Sequence, residues 1–250
     1  VKKAIHFYVL ILLCMISCSG RIDGNLRRDG SAELSLEISL EDRMTALIRS
    51  LAALGGTGPA ARDAPVIDGP AIARSMAAAP GIESVNLVNR SPSSIAGNIR
   101  ISQIDRFLAL PAISGAETAG GKRFITYIPM ASPGDSRLLI AMDRSTAPLL
   151  LAMISEDVRD YLSALMAPAA TGEPLSRVEY LDLVGSFYGK ALADEIAAAR
   201  ITASIGFPGT VSSVKGGSFS RTLARFDIPL VDLLVLENPL EYEVVWRQDR

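Results

Sequence analysis

Histidine and cysteine are nearly missing from this chain of 250 residues: there is one histidine, His6, and there are two cysteines, Cys14 and Cys18. All three fall within the first 18 positions, so the body beyond them holds no thiol and no imidazole. That composition excludes a Ser-His-Asp or Cys-His nucleophile, a histidine-ligated zinc and a haem histidine in the body. It also leaves the body without a disulfide, even in an oxidising compartment. Aromatic residues are only 6% of the chain against 49% hydrophobic residues, which predicts an aliphatic core. No basic patch alternates with aromatics, so the sequence offers no nucleic-acid surface. A long apolar run is missing too. The run Phe7-Tyr8-Val9-Leu10-Ile11-Leu12-Leu13 falls short of the roughly 18 to 20 residues that a spanning helix needs.

What stands at the start instead is an export pattern. Lys2 and Lys3 precede the apolar run, and the small residue Ser17 lies near its end. A basic start, a short apolar stretch and a small-residue boundary mark a secretory signal. Met15-Ile16-Ser17-Cys18-Ser19 resembles the lipobox of bacterial lipoproteins, although Met15 stands for the usual Leu and Ile16 for a small residue. The resemblance implies cleavage between Ser17 and Cys18, a diacylated Cys18 sulfur and a new N-terminus that can be acylated in turn. Residues 1–17 are then a signal peptide, and 18–250 form one envelope domain with a flexible loop near 55–66. Loss of Lys2 and Lys3 leaves 23 basic against 27 acidic residues. Ser19 follows the cysteine where an Asp would hold the protein at an inner membrane, so in a two-membrane envelope the expected address is the outer one.

Beyond the anchor, Ala32, Leu34, Leu36, Ile38 and Leu40 alternate with Glu33, Ser35, Glu37, Ser39 and Glu41. Alternation of this kind predicts a strand with one wet face. Asp29-Gly30 is a tight-turn signal that folds the strand back on Arg21–Arg28. Met44, Leu47, Ile48, Leu51 and Leu54 recur at helical spacing up to Gly55-Gly56. Asp68 with Pro70 starts a second helix, running to Ala79. Strands are expected over Ile82–Val88, Ile95–Ile101, Phe124–Ile128 and Leu138–Met142, with a short helix after Ser102 and a loop over Pro111–Lys122. From Ser145 the pattern is helical, with a break at Pro168–Pro174 and further helices over Ser176–Phe187 and Lys190–Arg200. Strands return at Ile201–Phe207, Val211–Val214, Phe219–Phe226 and Tyr242–Trp246, around a compact apolar segment Pro229–Leu236. Strands at both ends around a helical middle predict an α+β fold, with an N-terminal hairpin and C-terminal antiparallel strands packed on the helices.

The stretch Ile201–Val211, with Pro208-Gly209 between strands, followed by Gly216-Gly217 and the late Trp246, resembles the end of the LppM-like bacterial lipoprotein domain. That resemblance implies an envelope lipoprotein that touches lipids or glycolipids, and it carries over no catalytic residue.

Three motifs compete with a purely structural reading. Ser212-Ser213-Val214-Lys215 has the Ser-x-x-Lys spacing of acylating enzymes, but on a strand residues three apart point to opposite faces. Gly185 to Ala191 approximates a phosphate-binding loop, with one residue too few between the glycines and Ala191 where Ser or Thr binds magnesium. The acidic pairs Glu41-Asp42, Glu156-Asp157 and Asp194-Glu195 are sequence neighbours, which do not converge within a helix. The expected function is therefore a membrane-anchored binding or structural protein with no catalytic residue, no cofactor and no metal. Its partner is membrane lipid through Cys18, with an envelope protein or a glycolipid as a further partner. The alternatives are a lipid carrier and a carboxylate-dependent envelope hydrolase.

Overall fold

The computed structural model of the chain describes residues 19–54, 65–108, 125–129, 135–148 and 162–247. The expectations for Cys18, for the loop near 55–66 apart from Pro65 and Val66, for Pro111–Lys122 and for Glu156-Asp157 lie outside the described residues. Within them the α+β expectation holds, and its N-terminal hairpin is present. Strand β1 (Ser19–Leu26) pairs antiparallel with β2 (Ala32–Ser39), from Ser19 opposite Ser39 to Leu26 opposite Ala32. Gly30 takes φ +79, and the Asp29 carboxylate accepts from the Ser31 amide and hydroxyl at 2.9 and 2.6 Å. A positive φ is open to glycine without a Cβ penalty, which is why Asp-Gly closes this turn.

Among the described residues, three helices and four further strands follow before residue 162. They are α1 (Asp42–Leu54), α2 (Gly69–Ala77), β3 (Ile82–Ser91), β4 (Ser94–Ile101), α3 (Ile104–Leu108), β5 (Ile125–Ile128) and β6 (Ser136–Met142). Asp68 caps α2 as its sequence suggests, accepting from the Ala71 amide at 2.9 Å. Asn89 on β3 holds the start of that helix, donating to Ile67 O at 2.5 Å and accepting from Gly69 N at 3.1 Å.

The chain continues through α4 (Pro168–Thr171), α5 (Arg177–Tyr188), α6 (Lys190–Ala198), β7 (Arg200–Gly206), β8 (Thr210–Lys215), β9 (Ser218–Ser220), β10 (Leu223–Pro229), α7 (Leu230–Val235) and β11 (Leu240–Arg247). Three local expectations change. The break at 168–174 contains the single turn α4, started by Pro168 and closed by Gly172 at φ +78. The strand expected over Phe219–Phe226 divides into β9 and β10 at Arg221, which takes φ +51. The apolar segment 229–236 is the helix α7, whose Leu236 cap is left-handed at φ +48.

The strands form two sheets. One has seven strands in the order β3-β4-β2-β1-β7-β10-β9, and the other has four in the order β5-β6-β11-β8. The hairpin at the N-terminus and the C-terminal strands β7, β10 and β9 are one continuous sheet, because β1 pairs parallel with β7, Ser19 opposite Arg200 and Asn25 opposite Gly206. Strand pairing at such separation leaves no local trace in sequence.

The large sheet has an apolar and a polar face. Ile22, Leu34, Leu36 and Ile38 share the apolar face with Ile99, Ile201 and Ile205 by register. Gly24 lies among them, and a Cβ there would meet Ile205 Cδ1 at 2.7 Å and Leu34 Cδ2 at 2.8 Å. Two cores form on this scaffold. One is helical and includes Met44, Ile48, Tyr180, Val184, Ile196 and Val235. The other lies between the sheets and includes Leu26, Ile99, Phe207, Ala224, Val244 and Trp246.

Candidate functional surfaces

The second face of the seven-stranded sheet is built from the alternate set of residues. Arg21 and Asp23 on β1 stand opposite Glu37 and Ser35 on β2, and opposite Thr202 and Ser204 on β7. Asn98 continues the row beyond Ser35, and Asn86 beyond Asn98. Most of these side chains are exposed. Charges on this face pair locally: Arg21 with Asp23 at 2.7 Å, and Glu33 with Arg27 at 3.2 Å and Arg100 at 3.6 Å. The strand alternation at Ala32–Leu40 signals this wet face. Its extension over five more strands has no counterpart in any one stretch.

Toward one edge of the same face lies a shallow groove of about 430 Å³, with Thr202, Ser204, Arg225 and Asp227 among its lining residues. A second open groove, of about 380 Å³, runs between α5 and α6 past Leu181, Asp182, Gly185, Ser186 and Lys190. This is where the glycine-containing stretch Gly185–Ala191 falls. It is a helix-to-helix junction, with Gly189 at φ +93 ending α5 and beginning α6. Lys190 Nζ is engaged by both Asp194 carboxylate oxygens, at 2.6 and 2.8 Å. A phosphate cradle needs backbone amides and a lysine turned to a common centre; here the lysine turns to its own helix.

Ser212 and Lys215 lie on β8 and do not face one another. The Ser212 hydroxyl donates to Val245 O at 3.1 Å, and Lys215 pairs with Glu241 on the neighbouring strand. An acylating serine needs a base within hydrogen-bond reach. Each partner of this pair is instead tied to β11.

Of the acidic pairs, one member of the second, Glu195, comes near Glu41-Asp42 through tertiary packing. Glu195 on α6 accepts from the Met44 amide in the first turn of α1 at 3.3 Å. Burial pushes its carboxyl above the ordinary range, and the negative charges of Glu41 and Asp42 act in the same direction. The Met44 hydrogen bond and Arg43 pull the other way. Chemically this is a carboxylate capping another helix's N-terminus, a role that stabilises exposed amides. Among the described residues no group of three or more Cys, His, Asp or Glu side chains is arranged to hold a metal ion. Among them, too, no helix is long and apolar enough to cross a membrane.

Burial also pushes the Tyr180 phenol well above its usual range, and its hydroxyl has no hydrogen-bond partner among the described residues. It sits at 0% exposure in the helical core, where it packs as an aromatic filler.

No protein-family model matches the chain, and no curated protein matches it. Among solved structures it is similar to the folded domain of LppM from Mycobacterium tuberculosis, determined by NMR, with a TM-score of 0.39 and 10% identity. The alignment covers 94% of this chain and 92% of that one. The likeness in fold is weak, and it assigns no ligand and no site residue.

Proposed function

We propose that this chain is a non-enzymatic envelope lipoprotein, held at a membrane by acylated Cys18 and acting by binding or assembly there. The observation that carries the reading is how near the ordered sheet lies to the lipobox-like Met15-Ile16-Ser17-Cys18 that ends the apolar run. The residue after that cysteine, Ser19, is already a strand residue paired with Ser39 and Arg200. Two acyl chains give stable anchoring where a single chain gives marginal binding, since each buried methylene contributes about 0.8 kcal/mol. In a two-membrane envelope the outer membrane is the proposed address, and an envelope protein or a glycolipid the proposed further partner.

A second reading, the lipid carrier, draws on one feature of the large sheet. Ile22, Leu36, Ile38 and Ile201 lie on its apolar face, are only half-buried, and belong to neither core cluster among the described residues.

Mass spectrometry of the membrane-extracted protein tests both readings. The anchored form is expected to carry acyl mass on a chain beginning at Cys18, and a Cys18→Ala variant to accumulate as uncleaved precursor. Masses for wild type and variant that differ by no more than the cysteine-to-alanine change would sink the anchor. Under native conditions, co-purified lipid that survives detergent exchange would favour the carrier, and its loss would count against it.

A further inference from the structure

The Ser19 end of the large sheet has a chemistry of its own. In register across four neighbouring strands it presents Ser91, Ser94, Ser39 and Ser19. These are short, uncharged hydroxyls, with Ser91 Oγ and Ser94 Oγ 2.7 Å apart. Next in the row, Arg200 turns its guanidinium onto Ala197 O and Ala199 O, both at 2.9 Å, at the C-terminal end of α6. Charge flanks this row, with Arg90 beside Ser91 and Glu41 and Asp42 just past Ser39, and the opposite end of the same strands is charged as well. It carries Arg27, Arg28 and Asp29 in the hairpin turn, with Glu33 and Arg100 beside them.

Resting on the anchor reading above, we infer that the Ser19 end of this sheet is the surface that meets the bilayer headgroups, with the strands standing away from the membrane and the Arg27–Gly30 turn outermost. The reason is the lack of slack. Ser19 is already in the ladder, paired on one side with Ser39 and on the other with Arg200. One trans peptide, about 3.8 Å between Cα atoms, separates it from Cys18. Acyl chains on Cys18 therefore draw this end of the sheet to the headgroup layer. β1 is also the fourth of seven strands, so the tether pulls on the middle of the sheet end and both flanks approach together. Serine hydroxyls can exchange hydrogen bonds with phosphate and glycerol oxygens.

The acylated full chain, carrying one spin label at a time, tests this. Cys14 leaves with the signal and Cys18 is blocked by acylation, so Ser91→Cys, Ser35→Cys and Arg28→Cys each offer a single thiol. The proteins are placed in phosphatidylethanolamine–phosphatidylglycerol vesicles with a trace of nickel-chelating headgroup lipid, after circular dichroism shows an unchanged fold. Relaxation of the label by nickel should fall in the order Ser91, Ser35, Arg28. The first and last should differ by about tenfold, because roughly seven residues at about 3.3 Å each separate the two ends. Equal relaxation at all three positions, with acyl mass present on each protein, would overturn the orientation and leave the anchor standing. A full chain that is produced without acyl mass at Cys18 would overturn both. A flexible 20-residue Gly-Ser linker placed between Cys18 and Ser19 spans roughly 25 Å and should abolish the gradient. An undiminished gradient with the linker in place would overturn the claim that the short tether sets the orientation.

Discussion

The two cores differ in composition and in how far apart in sequence their residues lie. Tyr180 is the sole aromatic among the fully buried residues of the helical cluster described here, which otherwise packs Met44, Ile48, Val184, Ile196 and small residues such as Ala167 and Ala193. The inter-sheet cluster is closed by aromatics. Trp246 stacks near Tyr127, with centroids 6.1 Å apart and planes at 16°, and lies 4.6 Å from Phe207. Much of the helical cluster comes from α5, α6 and α7, which are close in sequence. The inter-sheet cluster spans Leu26 to Trp246, nearly the length of the body. A core of small residues on neighbouring helices can form from local contacts. A core spread over distant strands forms only when the whole sheet order is in place. The second should therefore report on global stability and the first on a part of the molecule.

The strongest way to break that comparison is at Trp246, which has 0% exposure. Trp246→Ala is expected to lower stability by about 3–5 kcal/mol, the range for removing a large buried aromatic. Urea unfolding followed by far-UV circular dichroism reads it. Trp246→Phe should lose far less, because the indole N–H has no hydrogen-bond partner among the described residues and nothing is orphaned by its removal. A Phe variant as damaged as the Ala variant would mean that the indole is held by something other than packing.

Next in size is Ile196→Ala on α6, at 1% exposure in the helical core. Truncating a buried aliphatic side chain costs about 2–5 kcal/mol, and the Ala-rich surroundings should place this one near the low end. Amide hydrogen exchange gives the sharper reading. Protection should fall across α5 and α6 while β1, β2 and β4 keep theirs. Equal loss in the strands would make the two cores a single cooperative unit.

The same contrast governs how much of the fold was legible in the sequence. Periodicity at Met44–Leu54, the Asp68–Pro70 start and the apolar pattern over Ser176–Phe187 each mark a helix locally, and each helix is present. The hairpin is legible because Asp29-Gly30 and the alternation beside it act within a few residues. The parallel pairing of β1 with β7 is not, since it joins residues about 180 positions apart by register alone. Arg221 shows a smaller failure of the same kind. An arginine at φ +51 splits an apparently continuous strand, and residue identity gives no warning because the neighbouring strands impose the turn. Strand alternation alone separates Ser212 from Lys215, and the structure ties each of them to β11. Conversely, the meeting of Glu195 with Glu41 and Asp42 comes from helix packing that no local pattern encodes.

Glu195 also supplies the smallest effect, at a link between two helices of the helical core, α6 and α1. Its carboxyl is raised above the ordinary value of 4.5, chiefly by burial and then by Glu41 and Asp42, against the Met44 amide and Arg43. A raised carboxyl holds its proton more tightly in the folded chain than in the unfolded one. Its contribution to stability is thus most favourable at or below the ordinary carboxyl range and declines as pH rises through the raised value. Glu195→Gln keeps a carbonyl oxygen able to accept from Met44 N and removes the charge. The variant and the wild type should unfold at similar urea concentrations near the ordinary carboxyl value, and the variant should be the more stable at neutral pH. A variant less stable at neutral pH would reverse the ranking of forces. It would mean that attraction between the carboxylate and the N-terminus of α1 outweighs burial and acidic neighbours, and that α6 is held to α1 by charge as well as by packing.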